Sequence, residues 1–444
     1  MTTEAPPRAA GRLLYGWLAV ATLVLIGTGM AYTIWWPDLV RHTPYYWLYP
    51  GDIWATVRTS HWIGWGSFSY VYSSRTALVT LPGFAVLFTP VVVLGSHLNL
   101  IETAPGLIPV PKPTDWLLIG PVIMACGAVA LAGFDAVART LGAGAGRRRL
   151  LIVVEMAALW PTVVIWGHPE DVLALGLLAL ALDRALRDRQ VSAAWLLGGA
   201  LCMQLYAIAA VPIFLGLVGR KKAPALALRA AILPAVLFLA VVIPNPHATI
   251  HALIDQPNFP RIDFPTPWVL VAPHLARHTV AAGIGRLIGL AGDAALGLVA
   301  ARWRRDPVSV AWLCGAALSL RCLFESVMDP YYVAPAIAFF LAALVLSDWV
   351  RWTVAAMLGA GLVDLVYFRT GIWWYWVEMA AAFSLLGLVT LPPERFAGLV
   401  RSVRPLKGSG ASDPPVEPAM AYPTPSGATA ASVHTSETAS HSLL

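Results

Sequence analysis

Residues 13–36 read LLYGWLAVATLVLIGTGMAYTIWW, a run of 24 residues without a charged side chain. An α-helix needs about 20 apolar residues to cross a hydrocarbon core of about 30 Å. The run is longer than the apolar core of a signal peptide and has no small-residue cleavage site. We therefore expect residues 13–36 to be a retained membrane span.

Similar apolar runs recur along the chain, in which 58% of residues are hydrophobic and only 12% are charged. Soluble domains carry about 25% charged residues, and backbone in lipid must satisfy its own hydrogen bonds. We predict an all-α fold, a polytopic transmembrane helical bundle of about 12 or 13 spans in the cell membrane. The predicted spans are residues 13–36, 77–98, 115–137, 150–166, 172–186, 193–203, 207–218, 225–243, 281–301, 308–324, 331–347, 353–367 and 374–391.

The net charge of +6 comes largely from short basic clusters beside the spans. The positive-inside rule explains such clusters without a nucleic-acid partner and predicts that they are cytoplasmic. The clusters are Arg147/Arg148/Arg149, Arg184/Arg187/Arg189, Arg220/Lys221/Lys222 and Arg302/Arg304/Arg305. This orientation predicts outer connections at residues 167–171, 204–206, 244–280, 325–331 and 368–373.

The beginning of the chain fits this alternation only with one exception. Either residues 77–98 fail to cross, because Pro82 and Pro90 break the helix and make it re-entrant, or the arginines 147–149 depart from the charge rule. Sequence alone leaves both alternatives open.

The remaining segments flank one large domain, residues 13–401. Residues 1–12 are predicted to be a cytoplasmic N-terminus, and residues 402–444, rich in Pro, Ser, Thr and Ala, a disordered cytoplasmic tail. The outer loop 37–76 is rich in Trp and Tyr, which predicts interfacial helices. The four cysteines lie in apolar segments without metal-ligand spacing and are expected to be packing residues.

The first outer loop contains two acids, Asp38 directly after the first span and Asp52 after Pro50-Gly51. An aromatic stretch ends at Tyr70-Val71-Tyr72, and the next span contains Leu81-Pro82-Gly83. This combination resembles the glycosyltransferase-C superfamily, and in particular its bacterial polyprenol-phosphate-mannose-dependent branch.

The resemblance implies a membrane enzyme that transfers a sugar, with mannose the first candidate, from a polyprenyl-phosphate donor to a lipid-linked or cell-envelope acceptor at the outer face. It implies that an early outer acid is the general base, for which Asp52 is the first choice and Asp38 the second. Asp52 could instead cap a helix. The distance from Trp36 to Asp52 is longer than the family pattern, which keeps Asp38 in consideration.

A second polar element, Gly167-His168-Pro169-Glu170-Asp171, joins two spans and is similar to a short polar turn in members of the superfamily. His168 and Glu170 are candidate substrate-binding residues, and Glu170 or Asp171 could hold the acceptor or a divalent cation. Alternatively, Pro169 and the two acids simply start a helix. The acidic pair of metal-using members is absent, so we expect no metal and no other cofactor.

A third polar element, Arg321 to Tyr332, lies at the outer end of a late span. Ionisable residues inside a membrane line functional cavities or pair with each other, and Arg321 and Glu325 have the i, i+4 spacing of a helical ion pair. As functional residues, Arg321 would bind the donor phosphate, and Tyr331 and Tyr332 would flank the sugar or prenyl chain. The remaining phosphate-binding candidates are Arg58 and Arg75.

The alternative function is a transporter or lipid flippase, whose charged residues would line a translocation path. Polar residues collected at one face and the lack of an internal repeat favour the enzyme. A catalytically inactive envelope scaffold is the third hypothesis.

Overall fold

The computed structural model describes residues 7–41, 52–73, 78–101, 113–260, 264–276, 278–367 and 371–395. Within these ranges the protein is a bundle of α-helices with one short hairpin, which confirms the predicted all-α class. The predicted cytoplasmic tail lies outside the described residues.

The first half of the chain forms eight α-helices and one 3₁₀ turn, Phe68–Tyr70, within the described ranges. The helices are α1 (Pro7–Arg41), α2 (Ile53–Gly64), α3 (Gly83–His97), α4 (Pro113–Ala125), α5 (Gly127–Thr140), α6 (Ala145–Val164), α7 (Pro169–Leu186) and α8 (Gln190–Met203). The helix α2 confirms a helical segment within residues 37–76, whose outer location stays a prediction.

The second half forms eight further α-helices within the described ranges. They are α9 (Val211–Val218), α10 (Ala223–Val242), α11 (Pro246–Ile250), α12 (Gly285–Trp303), α13 (Pro307–Phe324), α14 (Ala334–Ala343), α15 (Trp349–Tyr367) and α16 (Ile372–Thr390). The connecting elements are 3₁₀ turns at Leu205–Ala210, Pro267–Leu270 and Pro330–Val333, a π-helical turn at His251–Asp255, and the antiparallel strands β1 (His274–Ala276) and β2 (Thr279–Val280).

Five helical stretches among the described residues are long and apolar enough to cross a membrane, which indicates a membrane protein. They are Gly16–Trp35, Asp115–Thr140, Ala223–Val242, Pro307–Phe324 and Ile372–Thr390. Some of the other predicted spans are shorter helices: α8 has 14 residues and extends about 21 Å, less than the hydrocarbon thickness. The total of 12 or 13 spans therefore stays a prediction.

Several predicted boundaries are wrong, and the reasons are local. The predicted span 115–137 lies within the apolar stretch Asp115–Thr140 and is not one of them, although α4 and α5 meet at Cys126 inside it. The predicted span 77–98 begins as a helix only at Gly83 and continues through Pro90, so the expected break at this proline does not occur. Hydroxyl groups of Ser60 and Thr89 both donate to the Ala85 carbonyl at 2.8 Å, so α2 is tied to α3 one turn before this proline.

Two glycines let α7 approach α5 very closely. A Cβ atom on Gly176 would lie 2.6 Å from the backbone nitrogen of Ala130, and one on Gly133 would lie 2.7 Å from the carbonyl oxygen of Gly176. Real Cβ atoms do not approach backbone this closely, so these positions require glycine. This packing fixes the position of α7 within the bundle.

The two ends of α7 carry different polar groups. At its C-terminal end, Asp183 accepts a hydrogen bond from Thr140 at 2.5 Å, and Asp188 just beyond pairs with Lys222 at 3.0 Å. The second contact joins the basic cluster 220–222 to the end of α7, and Arg148 of the cluster 147–149 pairs with Asp135 of α5 at 2.7 Å. The N-terminal end of α7 carries His168, which belongs to a separate polar network.

Candidate functional site

Asp52 and His168 meet although 116 positions separate them in the chain. Asp52 precedes α2 and His168 precedes α7, and Asp52 Oδ2 lies 3.2 Å from His168 Nε2. The side chain of Asp52 is 61% exposed, whereas that of His168 is only 15% exposed. The carboxylate is therefore held on one side and remains accessible on the other.

The imidazole ring of His168 has contacts at both ring nitrogens and on one of its faces. Its Nδ1 lies 2.7 Å from Glu170 Oε1 and 3.6 Å from Asp171 Oδ2. Its ring stacks on Tyr331 with centroids 4.1 Å apart and planes inclined by 21°. These contacts hold the imidazole in one orientation toward Asp52.

The surroundings of His168 favour its charged form. Burial lowers the pKa of the imidazole, but the carboxylates of Glu170, Asp52 and Asp171 raise the pKa by more, so it lies well above the ordinary value for histidine. A protonated imidazole donates from both ring nitrogens, which matches acceptors at Asp52 and Glu170.

Gln204 and Tyr206 connect this cluster to the end of α8. Gln204 Nε2 donates to Asp171 Oδ2 at 3.4 Å, and the Tyr206 hydroxyl donates to the backbone carbonyl of Asp171 at 2.7 Å. The first turn of α7 is thereby tied to the connection between α8 and α9.

Arg321 lies between two aromatic rings near the end of α13. Its guanidinium carbon is 4.3 Å from the ring centroid of Tyr332 and 5.4 Å from that of Tyr206. Arg321 Nε is 3.6 Å from Glu325 Oε1, so the predicted pair exists. Glu325 nevertheless binds Arg286 more closely, through two contacts of 3.1 and 2.8 Å. Glu325 lies beyond the helix in extended backbone, which lets it reach α12.

A lateral cavity of about 560 Å³ opens beside this network. Its rim includes Ile208 and Ile254, which are 48% and 68% exposed, so the cavity opens on an apolar surface of the bundle. Its walls are mainly apolar and include Leu201, Leu205, Phe238, Leu253, Leu290 and Phe324. Its polar lining consists of Gln204, Tyr206, Gln256, Arg286, Asp293, Arg321 and Glu325.

One group of side chains could hold a metal ion: ligand atoms of His168, Glu170 and Asp171 lie within 4.8 Å of one another. Within the described ranges, Glu170 Oε2 is buried without a hydrogen-bond partner. One imidazole and two carboxylates suit several divalent metals. A protonated imidazole has no lone pair to offer, so a cation would have to displace a proton from His168. Metal independence stays a prediction.

The structure brings together seven of the ten predicted site residues. The exceptions are Arg58, which is half-buried in α2; Asp38, which belongs to α1 but whose side chain lies outside the described residues; and Arg75, which lies outside them altogether. The seven that belong to the network are Asp52, His168, Glu170, Arg321, Glu325, Tyr331 and Tyr332.

Sequence reasoning missed Arg286, Gln204, Tyr206 and Gln256. Arg286 falls inside the predicted span 281–301, and an ionisable residue in an apolar span was a signal that could have identified it. Gln256 contacts Arg286, but nothing in its local sequence indicates that contact.

No protein-family model matches the chain, and no curated protein matches its sequence. Inference about function therefore depends on the side-chain geometry described above.

Proposed function

We propose that the chain is a membrane glycosyltransferase that moves a sugar, with mannose the first candidate, from a polyprenyl-phosphate donor to a lipid-linked or cell-envelope acceptor outside the cytoplasm. One observation carries the proposal: an exposed carboxylate, Asp52, belongs to the same polar network as the guanidinium-lined end of an apolar cavity. The contacts run from Asp52 to His168, Asp171 and Gln204, which lines the cavity.

This arrangement supplies the groups that sugar transfer requires. The acceptor hydroxyl gives its proton to the Asp52 carboxylate while its oxygen bonds to the anomeric carbon. The bond from that carbon to the phosphate oxygen breaks, and its electron pair stays on the departing polyprenyl phosphate. Arg321 and Arg286, which both lie near Glu325, would attract the phosphate of the bound donor, and the apolar walls would receive its prenyl chain.

Transfer of radiolabelled mannose from polyprenyl-phosphate-mannose to endogenous lipid acceptors tests the proposal. Membranes would contain the wild type, Asp52→Asn or Asp38→Asn at matched expression. A matched control is Asp188→Asn, because Asp188 is also an exposed acid but pairs with Lys222 beyond the opposite end of α7. We expect Asp52→Asn to lower transfer by about 10²-fold or more and Asp188→Asn to leave it unchanged.

The same experiment identifies the base and can reject the proposal. Loss of transfer in Asp38→Asn alone would assign the base to Asp38. A wild type that transfers sugar from no polyprenyl-phosphate donor contradicts the proposal.

One observation favours the transporter or flippase as a second candidate. Glu155 in α6 is fully buried, and neither carboxylate oxygen has a hydrogen-bond partner within the described part of the chain. Unpaired acids inside membrane helices are typical of proton and substrate paths. Lipid movement across proteoliposomes that Glu155→Gln stops, without any sugar transfer by the wild type, would favour this candidate.

A further inference from the structure

Three charged side chains, Arg286, Arg321 and Glu325, lie together in the lining of the lateral cavity. We call this group of side chains the charged mouth. Glu325 accepts two bonds from Arg286 and lies 3.6 Å from Arg321. The three side chains are 27%, 14% and 5% exposed, respectively, so solvent screens their charges only partly. Two positive charges and one negative charge give the charged mouth a net charge of +1.

Lipid phosphates differ in the charge that they would bring to this position. A phosphodiester carries one negative charge, whereas a phosphate monoester carries between about 1.5 and 2 at neutral pH. One negative charge matches the net charge of the mouth. A second negative charge would lie near the Glu325 carboxylate without a cation of its own, which is unfavourable where screening is weak.

One further acid, Asp293, lines the cavity outside the charged mouth. It lies about two helical turns from Arg286 along α12. It adds either no charge or a further negative charge, depending on its protonation. Neither state would stabilise a doubly charged ligand.

We infer that the charged mouth selects singly charged lipid phosphodiesters over doubly charged lipid phosphates, and that Glu325 sets this preference by neutralising one of the two arginines. The inference rests on the proposed function for its biological meaning: the sugar donor is a phosphodiester and the lipid product is a monoester. The donor would then bind more tightly than the product, so the cavity empties after each transfer.

The test measures binding and does not require sugar transfer. The full-length protein in detergent is titrated with geranylgeranyl phosphate and with its methyl phosphodiester, followed by tryptophan fluorescence. The pH is about 8, where the monoester is doubly charged because its second pKa is about 6. We expect the wild type to prefer the phosphodiester by about tenfold.

Charge-altering variants separate the proposed role from a merely structural one. Glu325→Gln raises the charge of the mouth to +2 and should abolish or reverse the preference. The double variant Arg286→Gln/Glu325→Gln returns the charge to +1 and should restore the preference. Asp188→Asn, which changes a charge far from the mouth, should behave as the wild type.

Three results would overturn the inference: equal binding of the two lipids by the wild type, an unchanged preference in Glu325→Gln, or no restoration of the preference in the double variant.

If Glu325→Gln does not fold, Arg286→Gln alone removes one positive charge and should weaken phosphodiester binding by about tenfold. Unchanged phosphodiester binding in Arg286→Gln would also overturn the inference. A preference of the expected kind without sugar transfer contradicts only the proposed function. Asp52-dependent transfer without any preference contradicts only the present inference.

Discussion

At the scale of single residues, His168 joins segments that are remote in sequence. Sequence reasoning selected these residues separately: Asp52 from the family resemblance, and His168 and Tyr331 because they lie beside predicted spans. Their mutual contacts could not be predicted, since a stacked ring at 4.1 Å and a 3.2 Å contact depend on how α2, α7 and the 330–333 turn pack.

The raised pKa of His168 predicts a pH-dependent contribution to stability. A group whose pKa is higher in the folded than in the unfolded protein stabilises fully below its unfolded value of about 6.5, and this stabilisation is lost as the pH rises through the folded value. The difference in thermal unfolding midpoint between wild type and His168→Gln should therefore be largest in mildly acidic detergent solution and shrink at alkaline pH. A difference that does not change with pH would contradict this expectation.

His251→Gln is the matched control for that measurement. His251 also contacts a carboxylate, Asp255, at 2.9 Å, but its side chain is 47% exposed. Exposed ion pairs contribute between about 0 and 1 kcal/mol, so this variant should change the unfolding midpoint little at any pH.

At the scale of elements, the apolar runs predicted where helices occur but not how they end. Whether a helix forms follows from the length of the apolar run, which is a local property of the sequence. The separation of α4 from α5 at Cys126 and the continuity of α3 through Pro90 have no comparably clear local signal. The bond between Arg286 and Glu325 links α12 to the segment after α13, across 39 positions, and likewise depends on packing.

The close contact of α5 and α7 predicts that Gly176→Ala destabilises the protein. The new methyl group would lie 2.6 Å from backbone that cannot move away as a flexible side chain could. We expect a loss of about 1–3 kcal/mol in the free energy of unfolding, together with reduced sugar transfer, because α7 carries the turn with His168.

The control is Gly361→Ala in α15, where no heavy atom lies within 4 Å of the added methyl group. Alanine favours a helix over glycine by about 0.5–1 kcal/mol, so this variant should be neutral or stabilising. Thermal unfolding in detergent measures both variants. Equal stability of the two would contradict the assigned role of the α5–α7 contact.

At the scale of the whole molecule, the described residues between 7 and 395 form one compact unit. The basic cluster 220–222 lies toward one end of α7 through the Lys222–Asp188 pair, and Asp52 lies toward the other through His168. The positive-inside rule therefore predicts that Lys221 faces the cytoplasm and that the α2 region faces outward.

Cysteine labelling measures this orientation. Trp65→Cys, at a position 58% exposed beside α2, should react with a membrane-impermeant maleimide in intact cells. Lys221→Cys should react only after permeabilisation. The unaltered chain gives the background, because three of its four cysteines are buried and the other, Cys126, is half-buried. The reverse labelling pattern would contradict the predicted orientation.

The apolar rim of the lateral cavity also affects how a lipid ligand would bind in a bilayer. This rim carries exposed apolar residues, Ile208 and Ile254, so in a membrane we expect acyl chains of ordinary lipids to have access to the cavity. An incoming ligand would then exchange with such a chain and would not enter empty space. Since lipid tails are as apolar as the cavity walls, the exchange of one tail for another gains little free energy. Discrimination among lipids therefore depends on their headgroups, and a cavity with mainly apolar walls would select among lipids through a few charged side chains.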